Sequence, residues 1–324
     1  MNLLVSGSIA YDKIMDFPGK FSDHILPNKI HNINVSFGIE KMNVQYGGTA
    51  GNIAYNLALL NEKPFVISQV GSDFTEYKKW FKQHGVNLSL VRTVKNETCS
   101  TAHVITDKAN NQITGFHFGA MQQPAIKDAK VWKDIKQKAV SGKAIGLLSP
   151  GNVDDMMALA KLYQKQNVPY IFDPGQQTVW LTADQIRTIL KGASVLILND
   201  YELAMVEKKL HTTAKKLRNK LHRLIVTLGE KGAIWYVGDM EYKMPVAKPE
   251  KVVDPTGAGD AYRAGLVVGM VNNWDDELSG RVAALCATYA IEHYGTQQHL
   301  YLIAKFKQRF EKTFGKKFKL ELKK

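Results

Sequence analysis

The chain reads Asp254-Pro255-Thr256-Gly257-Ala258-Gly259-Asp260 and continues without a break into AYRAGLVVGM at 261–270. The small residues allow a ligand to approach the backbone closely, and the first N–H groups of the helix predicted to begin here have no intrahelical partner. Those donors and the helix dipole suit an anion such as a phosphoryl group in transfer. Asp260 would then accept a proton from an attacking hydroxyl. Its ordinary pKa of about 3.9, lowered further by the helix dipole, predicts an ionised carboxylate at neutral pH.

Upstream of this turn, short apolar runs alternate with segments of helical periodicity. Six runs are strand-like: Leu3–Ser6, Phe65–Val70, Ile145–Ser149, Tyr170–Asp173, Val195–Asn199 and Leu224–Thr227. Helices are predicted at 154–166, 183–191, 259–272 and 277–294, the last with Asp275 as its cap and Gly295 as its stop. Strands too apolar to alternate, separated by helices, predict an α/β fold with a doubly wound, mostly parallel sheet flanked by helices.

Two regions, at about 11–46 and 98–121, depart from this rhythm. They are rich in β-forming and polar residues and alternate in places, as in Thr101-Ala102-His103-Val104-Ile105. They predict a small lid of β-strands inserted into a single domain that spans 1–324. A basic C-terminal tail occupies 305–324.

Composition excludes several classes of protein. The chain has 324 residues, of which 45% are hydrophobic and 23% are charged, so it is not a disordered chain. Its two cysteines, Cys99 and Cys286, are too far apart in sequence for a disulfide scaffold or a cysteine zinc site to be expected. The N-terminus lacks a basic signal-like region, and no predominantly apolar run of about 18 residues occurs. We therefore expect a cytoplasmic protein with no membrane partner.

The net charge of +13 raises the question of nucleic-acid binding. The last twenty residues carry nine Lys or Arg and two Glu, so seven of the thirteen positive charges lie in the tail. Phe306, Phe310, Phe314 and Phe318 recur there every four residues, which predicts a docked helix up to Phe314 before Gly315 interrupts it. We expect no nucleic-acid partner. Aromatic stacking on single-stranded nucleic acid is the alternative.

Four further motifs accompany the turn at 254–260. They are Gly-Ser-Ile-Ala-Tyr-Asp (7–12), Gly-Gly-Thr-Ala-Gly-Asn (47–52), Asn-Asp-Tyr-Glu (199–202) and Thr-Leu-Gly-Glu-Lys-Gly (227–232). A GxxxxGK[ST] loop is absent, and no GxGxxG follows the first strand, which argues against P-loop NTPases and NAD dehydrogenases. In this order the motifs resemble those of the ribokinase-like (PfkB) carbohydrate kinases, over nearly the whole chain.

The resemblance implies an ATP-dependent kinase with an alcohol acceptor and assigns a role to each motif. Asp260 would be the catalytic base, and the amides of Gly257, Ala258 and Gly259 would form the anion hole. Asp12, Gly47, Gly48 and Asn52 would hold the sugar of the substrate; Asn199, Thr227, Gly229 and Gly232 would bind ATP; and Glu202 would bind Mg²⁺ through water. Family members differ in oligomeric state, monomer or homodimer, and in their need for a monovalent cation such as K⁺.

Each motif also has a structural interpretation that the residues alone leave open. The turn at 254–260 is compatible with an ordinary glycine-rich helix cap, and Asp12 with an Asp turn. Asn52 is compatible with a solvent-facing helical position, and Glu202 with a plain i,i+3 pair at a helix start.

The segment Asn-Gln-Ile-Thr-Gly-Phe-His-Phe-Gly-Ala-Met (111–121) resembles the adenosine and nucleoside kinase branch of that family. A planar base needs an apolar slot, for which Phe37, Phe116 and Phe118 are candidates; a position in the core or at a hinge of the lid sheet is the alternative for each. The sequence thus predicts adenosine and ATP as small-molecule substrates, giving AMP and ADP. A free-sugar kinase acting on ribose or fructose is the alternative. The chain departs from many sugar kinases at Tyr262-Arg263, where a Phe commonly follows the Gly-Asp-Ala.

Overall fold

A computed structural model describes residues 1–26, 31–32, 34–109 and 111–317. The strands are β1 (Asn2–Ser6), β2 (Ala10–Asp16), β3 (Lys41–Gly47), β4 (Phe65–Val70), β5 (Val91–Thr93), β6 (Ser100–Thr106), β7 (Gln112–His117), β8 (Ala144–Leu148), β9 (Tyr170–Phe172), β10 (Val195–Asn199), β11 (Arg223–Thr227), β12 (Ala233–Val237) and β13 (Met240–Met244). The helices are α1 (Thr49–Leu59), α2 (Thr75–Gln83), α3 (Ala129–Lys138), α4 (Val153–Lys165), α5 (Ala183–Leu190), α6 (Asp200–Leu210), α7 (Ala214–Arg218), α8 (Ala258–Val271), α9 (Asp276–Ile291) and α10 (Ile303–Phe314).

Nine strands form the main sheet, in the order β13-β12-β11-β10-β9-β8-β1-β4-β5. The pairs from β11 to β5 are parallel, and β12 and β13 extend one edge as antiparallel strands. Parallel strands need crossover connections, and the helices provide them on both faces of the sheet. The predicted fold class, a doubly wound and mostly parallel sheet flanked by helices, is confirmed.

Each face of the main sheet has its own hydrophobic core. Side chains of the strands alternate between the two: Leu3 and Val5 of β1 face one core, and Leu4 faces the other. The first core packs the sheet against α1, α2, α8, α9 and α10. The second packs it against α3, α4, α5, α6 and α7. Because both faces are covered, the strands read as continuous apolar runs in the sequence.

A second sheet, the lid sheet, has the order β3-β2-β6-β7. Its strands come from the two regions predicted to form a lid. β2 pairs with β3 and β6, and β6 pairs with β7. Every residue of β7 is exposed, so this edge of the lid sheet has no layer over it in the described part of the chain.

The helices that follow the glycine-rich turn lie close to their predicted bounds. Asp275 caps α9, its carboxylate accepting a hydrogen bond from the amide of Leu278 at 2.7 Å. Helix α9 ends at Ile291, four residues before Gly295. In α10, Phe306 and Phe310 are fully buried in the first core, and Gly315 ends the helix with a positive φ of 64°. Phe318 lies outside the described residues. Within the described ranges, no helix has the length and apolar character that a membrane span requires.

Candidate active site

A cavity of about 810 Å³ opens where the parallel strands end, between the main sheet and the lid sheet. Residues at or just after the ends of β1, β8, β9, β10 and β11 form its floor: Ser8, Pro150, Asp173, Gly175, Asn199, Thr227 and Gly229. Residues of the lid sheet and the start of α8 form its walls. Carboxyl ends of parallel strands are where open α/β sheets bind their ligands, and the volume suits a drug-sized ligand.

The turn at 254–260, here called the anion turn, forms one wall. Asp254 organises it: its carboxylate accepts hydrogen bonds from the amides of Thr256, at 2.9 Å, and Gly295, at 3.0 Å. Gly257 is the N-cap of α8 with φ at 79°, a conformation that favours glycine. The amide of Ala258 donates to the Pro255 carbonyl at 3.3 Å, whereas within the described chain the amides of Gly259 and Asp260 have no acceptor. Gly257 and Gly259 line the cavity, so the helix start can receive an anion.

Asp260 projects from the first turn of α8 toward α1. The side-chain amide of Asn52 donates to Asp260 Oδ2 at 2.8 Å. The Asn52 carbonyl oxygen accepts in turn from Thr296 Oγ1, at 2.8 Å, and Gln297 Nε2, at 2.9 Å. These bonds fix the orientation of the amide, because its oxygen faces two donors and its nitrogen faces the carboxylate. Asn52 is therefore a buried residue that orients Asp260, not a solvent-facing one.

The prediction that Asp260 has a low pKa is wrong. Burial raises its pKa to about 7, against the opposing effects of the Arg263 charge and the Asn52 hydrogen bond. The carboxylates of Asp173 and Asp12 raise it further. The sequence argument counted the helix dipole and missed the desolvation, which disfavours the charged form.

Asp12 lies on β2 in the same cavity wall. Burial raises its pKa to about 6, with a further contribution from the nearby Asp254. Gly47, at the end of β3, pairs with Ala10 and does not line the cavity; a Cβ on Gly47 would lie 2.2 Å from Asp12 Oδ2, so this glycine makes room for the carboxylate. Gly48 lines the cavity with φ at 85°, and its Cβ would lie 2.6 Å from the Ser8 carbonyl and the Ala10 amide.

The lid sheet contributes an apolar wall to the cavity. Register places Ala102 opposite Asp12 and Phe116 opposite Ala102, so all three side chains point to one face. Phe116 and Phe118 meet edge to face with ring centroids 5.2 Å apart, and both are partly exposed to the cavity. Phe37 was predicted to share this wall, and that is wrong. Its ring packs against Phe17 and Phe21, at 4.9 and 5.0 Å, away from the cavity.

The opposite end of the cavity carries the residues predicted to bind ATP. Asn199 and Glu202 form a capping box at the start of α6: the Glu202 amide donates to Asn199 Oδ1 at 2.7 Å, and the Asn199 amide donates to Glu202 Oε2 at 2.9 Å. The i,i+3 pair is thus present, and both residues still line the cavity. Burial raises the pKa of Glu202.

Thr227 and Gly229 line the same end, whereas Gly232 does not. Gly232 closes the turn between β11 and β12 with φ at 85°, and a Cβ there would lie 2.2 Å from the Met244 carbonyl oxygen. Its role in this structure is the turn itself. Ala258 of the anion turn likewise does not line the cavity.

One feature of the cavity was not predicted from the sequence. Arg263 of α8 forms a buried ion pair with Asp173, which follows β9; Nη2 donates to Asp173 Oδ1 at 2.6 Å, and Nε contacts Oδ2. Both residues line the cavity. The only signal in the sequence was Tyr262-Arg263, where a Phe commonly follows the Gly-Asp-Ala, and nothing local pointed to a partner 90 residues away.

Comparisons with known proteins give kinases, among them several nucleoside kinases and a ribokinase. The chain is 31% identical over 281 residues to a nucleoside kinase of Methanocaldococcus jannaschii, which covers 86% of this chain and 90% of that protein. It is 29% identical over 320 residues to a nucleoside kinase of Methanothermobacter thermautotrophicus, covering 97% of each. The nucleoside kinase of Burkholderia thailandensis, solved in complex with inosine, has a TM-score of 0.85 at 33% identity and covers 97% of this chain and 99% of its own.

The family assignment rests on a longer match than any single motif. Residues 21–301 match the pfkB family carbohydrate kinases. The match includes β3, β6 and β7 of the lid sheet, the ends of β8 to β11 at the cavity floor and the anion turn, whereas β1 and β2 precede it. The predicted resemblance is confirmed, and with it the prediction of an ATP-dependent kinase that uses an alcohol as acceptor. The chain belongs to the pfkB family of carbohydrate kinases.

Proposed function

We propose that this chain is a nucleoside kinase that transfers the γ-phosphoryl group of ATP to the 5′-hydroxyl of a nucleoside, with adenosine preferred. The main observation behind this proposal is a single cavity that contains a carboxylate for the hydroxyl proton, an anion turn for the phosphoryl group and an apolar wall for a base. The similarity to enzymes named nucleoside kinases, one of them solved with inosine, supports the choice of acceptor.

The acceptor binds between β2 and the lid wall. Asp12 offers two oxygens, which suit the vicinal hydroxyls of a ribose. Gly48 lacks a side chain, so the sugar can approach the backbone at the start of α1. The base then packs against Phe116 and Phe118, whose rings supply apolar area at the other side of the cavity.

Transfer takes place at the start of α8. Asn52 holds the Asp260 carboxylate at 2.8 Å, and Asp260 accepts the proton of the 5′-hydroxyl as the oxygen attacks phosphorus. The free amides of Gly259 and Asp260, together with the helix dipole, stabilise the charge that spreads over the phosphoryl oxygens. Phosphoryl transfer depends mainly on such positioning and charge stabilisation, so these residues suffice.

The residues near Glu202 fit a Mg²⁺ ion that arrives with ATP. In the described residues there is no cluster of three or more His, Cys, Asp or Glu that could hold a metal by itself. Glu202 has one oxygen committed to the Asn199 amide and a second free to contact the ion through water. Mg²⁺ usually keeps several waters and takes few protein ligands, and when bound it would neutralise charge on the phosphates. Thr227 and Gly229 lie where they can contact those phosphates.

A substrate panel tests the proposal. ATP consumption is measured with adenosine, inosine, cytidine, ribose and fructose as acceptors. We expect kcat/KM for adenosine to exceed that for ribose by at least about 100-fold, since a well-packed base adds several kcal/mol of binding free energy. A higher kcat/KM for ribose or fructose would identify a free-sugar kinase instead. A higher value for inosine would move the base preference and leave the nucleoside assignment intact.

A further inference from the structure

The cavity has an unusual balance of charge for a site that receives ATP. Five carboxylates line it: Asp12, Asp173, Glu202, Asp254 and Asp260. Among the described lining residues, Arg263 is the only lysine or arginine. Carboxylates repel phosphate groups, so the position of this single cation determines where a phosphoryl group is stabilised by a side-chain charge.

Asp173 holds the Arg263 guanidinium by one edge. Nη2 donates a hydrogen bond to Asp173 Oδ1 and Nε contacts Oδ2, and the two side chains are buried, with 7% of Arg263 and 1% of Asp173 exposed. Because two nitrogens on one edge contact the same carboxylate, the pair restricts the orientation of the guanidinium as well as its position. The charge on Arg263 therefore has a defined direction, and the unused nitrogen, Nη1, points away from Asp173.

Nη1 lies against the anion turn. Arg263 follows Gly259 by four residues on α8, so the two share a face of the helix. A Cβ built on Gly259 would lie 2.7 Å from Nη1. No group in the described part of the chain accepts a hydrogen bond from Nη1. Gly259 thus leaves space for a guanidinium nitrogen directly beside the free amides of the anion turn.

We propose that Arg263 is a catalytic residue whose Nη1 donates to an oxygen of the γ-phosphoryl group during transfer, with Asp173 as its positioning residue. The inference rests on the proposed function and adds a donor to it. In the step, the acceptor oxygen forms a bond to the γ-phosphorus, the bond to the β,γ-bridging oxygen breaks, and ADP leaves with that electron pair. The hydroxyl proton goes to Asp260. Arg263 keeps its proton and lowers the energy of the charge on the three equatorial oxygens.

A purely structural ion pair is the alternative, and a double variant separates the two roles. Removing Arg263 alone would leave Asp173 as an uncompensated buried charge, which is strongly destabilising, whereas removing both charges avoids that penalty. The test variant is therefore Arg263→Met/Asp173→Asn. The matched control is Arg309→Met/Glu292→Gln, because Arg309 forms a bidentate pair with Glu292 at 2.6 and 2.7 Å outside the cavity.

Three quantities are measured on wild type and both double variants: kcat, the Kd values of the nucleoside and MgADP, and the binding of MgADP with aluminium fluoride and nucleoside. Aluminium fluoride occupies the position of the phosphoryl group in transfer. For the test variant we expect kcat to fall by about 10²–10³-fold, the effect of losing one oxyanion donor, and both Kd values to stay within about threefold. Aluminium fluoride binding should be lost. The control should match wild type in all three.

A folded test variant with kcat within about threefold of wild type, or with wild-type binding of aluminium fluoride, would overturn the proposal. Should the test variant fail to fold, Arg263→Lys replaces it: lysine keeps the charge but cannot both pair with Asp173 and reach the anion turn, so kcat should fall at least about tenfold. Wild-type kcat in that variant would also overturn the proposal. Each kcat of a variant is compared with that of wild type on the acceptor that wild type phosphorylates best. If that acceptor is a free sugar, the proposed function is contradicted, but the comparison still tests the role of Arg263.

Discussion

Asp260 and Asp12 lie in a buried environment that makes both carboxyl groups weaker acids. Burial raises the pKa of Asp260 to about 7 and that of Asp12 to about 6. As the proposed base, Asp260 must be deprotonated to accept the hydroxyl proton, so kinase activity should be present above the pKa of Asp260 and be lost as the pH falls through it. We expect kcat/KM to fall below about pH 7, and more steeply below about pH 6, when Asp12 also protonates. A profile from about pH 5 to 9 measures this.

Asn52 supplies the control for that pH profile. Its hydrogen bond lowers the pKa of Asp260, so Asn52→Ala should move the acidic limb of kcat/KM to higher pH. A limb that stays in place, or that moves to lower pH, would mean that Asp260 is not the group that titrates.

Asp12 should act on acceptor binding. We expect Asp12→Ala to lower kcat/KM for ribonucleosides, because a charge-assisted contact to the ribose hydroxyls is lost. The loss should correspond to a rise of about 2–4 kcal/mol in the activation free energy. The matched 2′-deoxynucleosides already lack one of these hydroxyls and should lose less. Steady-state kinetics with adenosine and 2′-deoxyadenosine compare the two, and equal losses would show that Asp12 does not contact the diol.

At the residue scale, the sequence indicated which residues would share one site, but not the pKa shifts and contacts that result from their packing. The family resemblance carried by the motifs predicted the presence of Asp12, Asn52 and Asp260 in one site, and all three line the same cavity. The raised pKa of Asp260 depends on side chains from distant parts of the chain, which no local pattern contains. The partner of Arg263 and the position of Phe37 depend on tertiary packing in the same way.

At the scale of elements, hydrophobic periodicity was a sufficient guide to the main sheet. The six predicted strands correspond to β1, β4, β8, β9, β10 and β11, and the predicted helices differ from α4, α5, α8 and α9 by one to three residues at most ends. Strands buried on both faces have an unmistakable apolar run. The short edge strand β5 and the antiparallel β12 and β13 have weaker patterns and were not predicted individually.

Helix α10 offers a test of the packing of the tail. Phe306 is fully buried beside Tyr301, with ring centroids 4.9 Å apart, whereas Phe314 is only partly buried. We expect Phe306→Ala to lower the free energy of unfolding by about 3–5 kcal/mol, since it removes a buried ring and leaves a cavity. Phe314→Ala should lower the free energy of unfolding clearly less than Phe306→Ala does. Denaturant unfolding of both variants measures the difference, and equal costs would contradict this docking of α10.

For the whole molecule, more than half of the net positive charge lies in the C-terminal tail, away from the cavity. Seven of the thirteen net positive charges lie in residues 305–324, and none of the cavity residues is in this tail. Deletion of residues 315–324 removes an exposed Lys316–Glu277 ion pair, which contributes little. We expect kinase activity to stay within about twofold. Salt-dependent nanomolar RNA or DNA binding that disappears with the deletion would instead assign the tail to nucleic acid.

The molecule as a whole places Asp260, the anion turn and the apolar wall around one cavity, and in the proposed function Asp260 is the residue on which transfer depends. The decisive measurement is the single-turnover rate of nucleoside 5′-monophosphate formation by wild type and Asp260→Asn, with Asp275→Asn, a cap that asparagine also serves, as the control. We expect the rate of Asp260→Asn to fall by about 10²–10⁴-fold with unchanged Kd values for nucleoside and MgADP. Product formation at the wild-type rate in Asp260→Asn would contradict the assignment of this cavity as a kinase active site with Asp260 as its base.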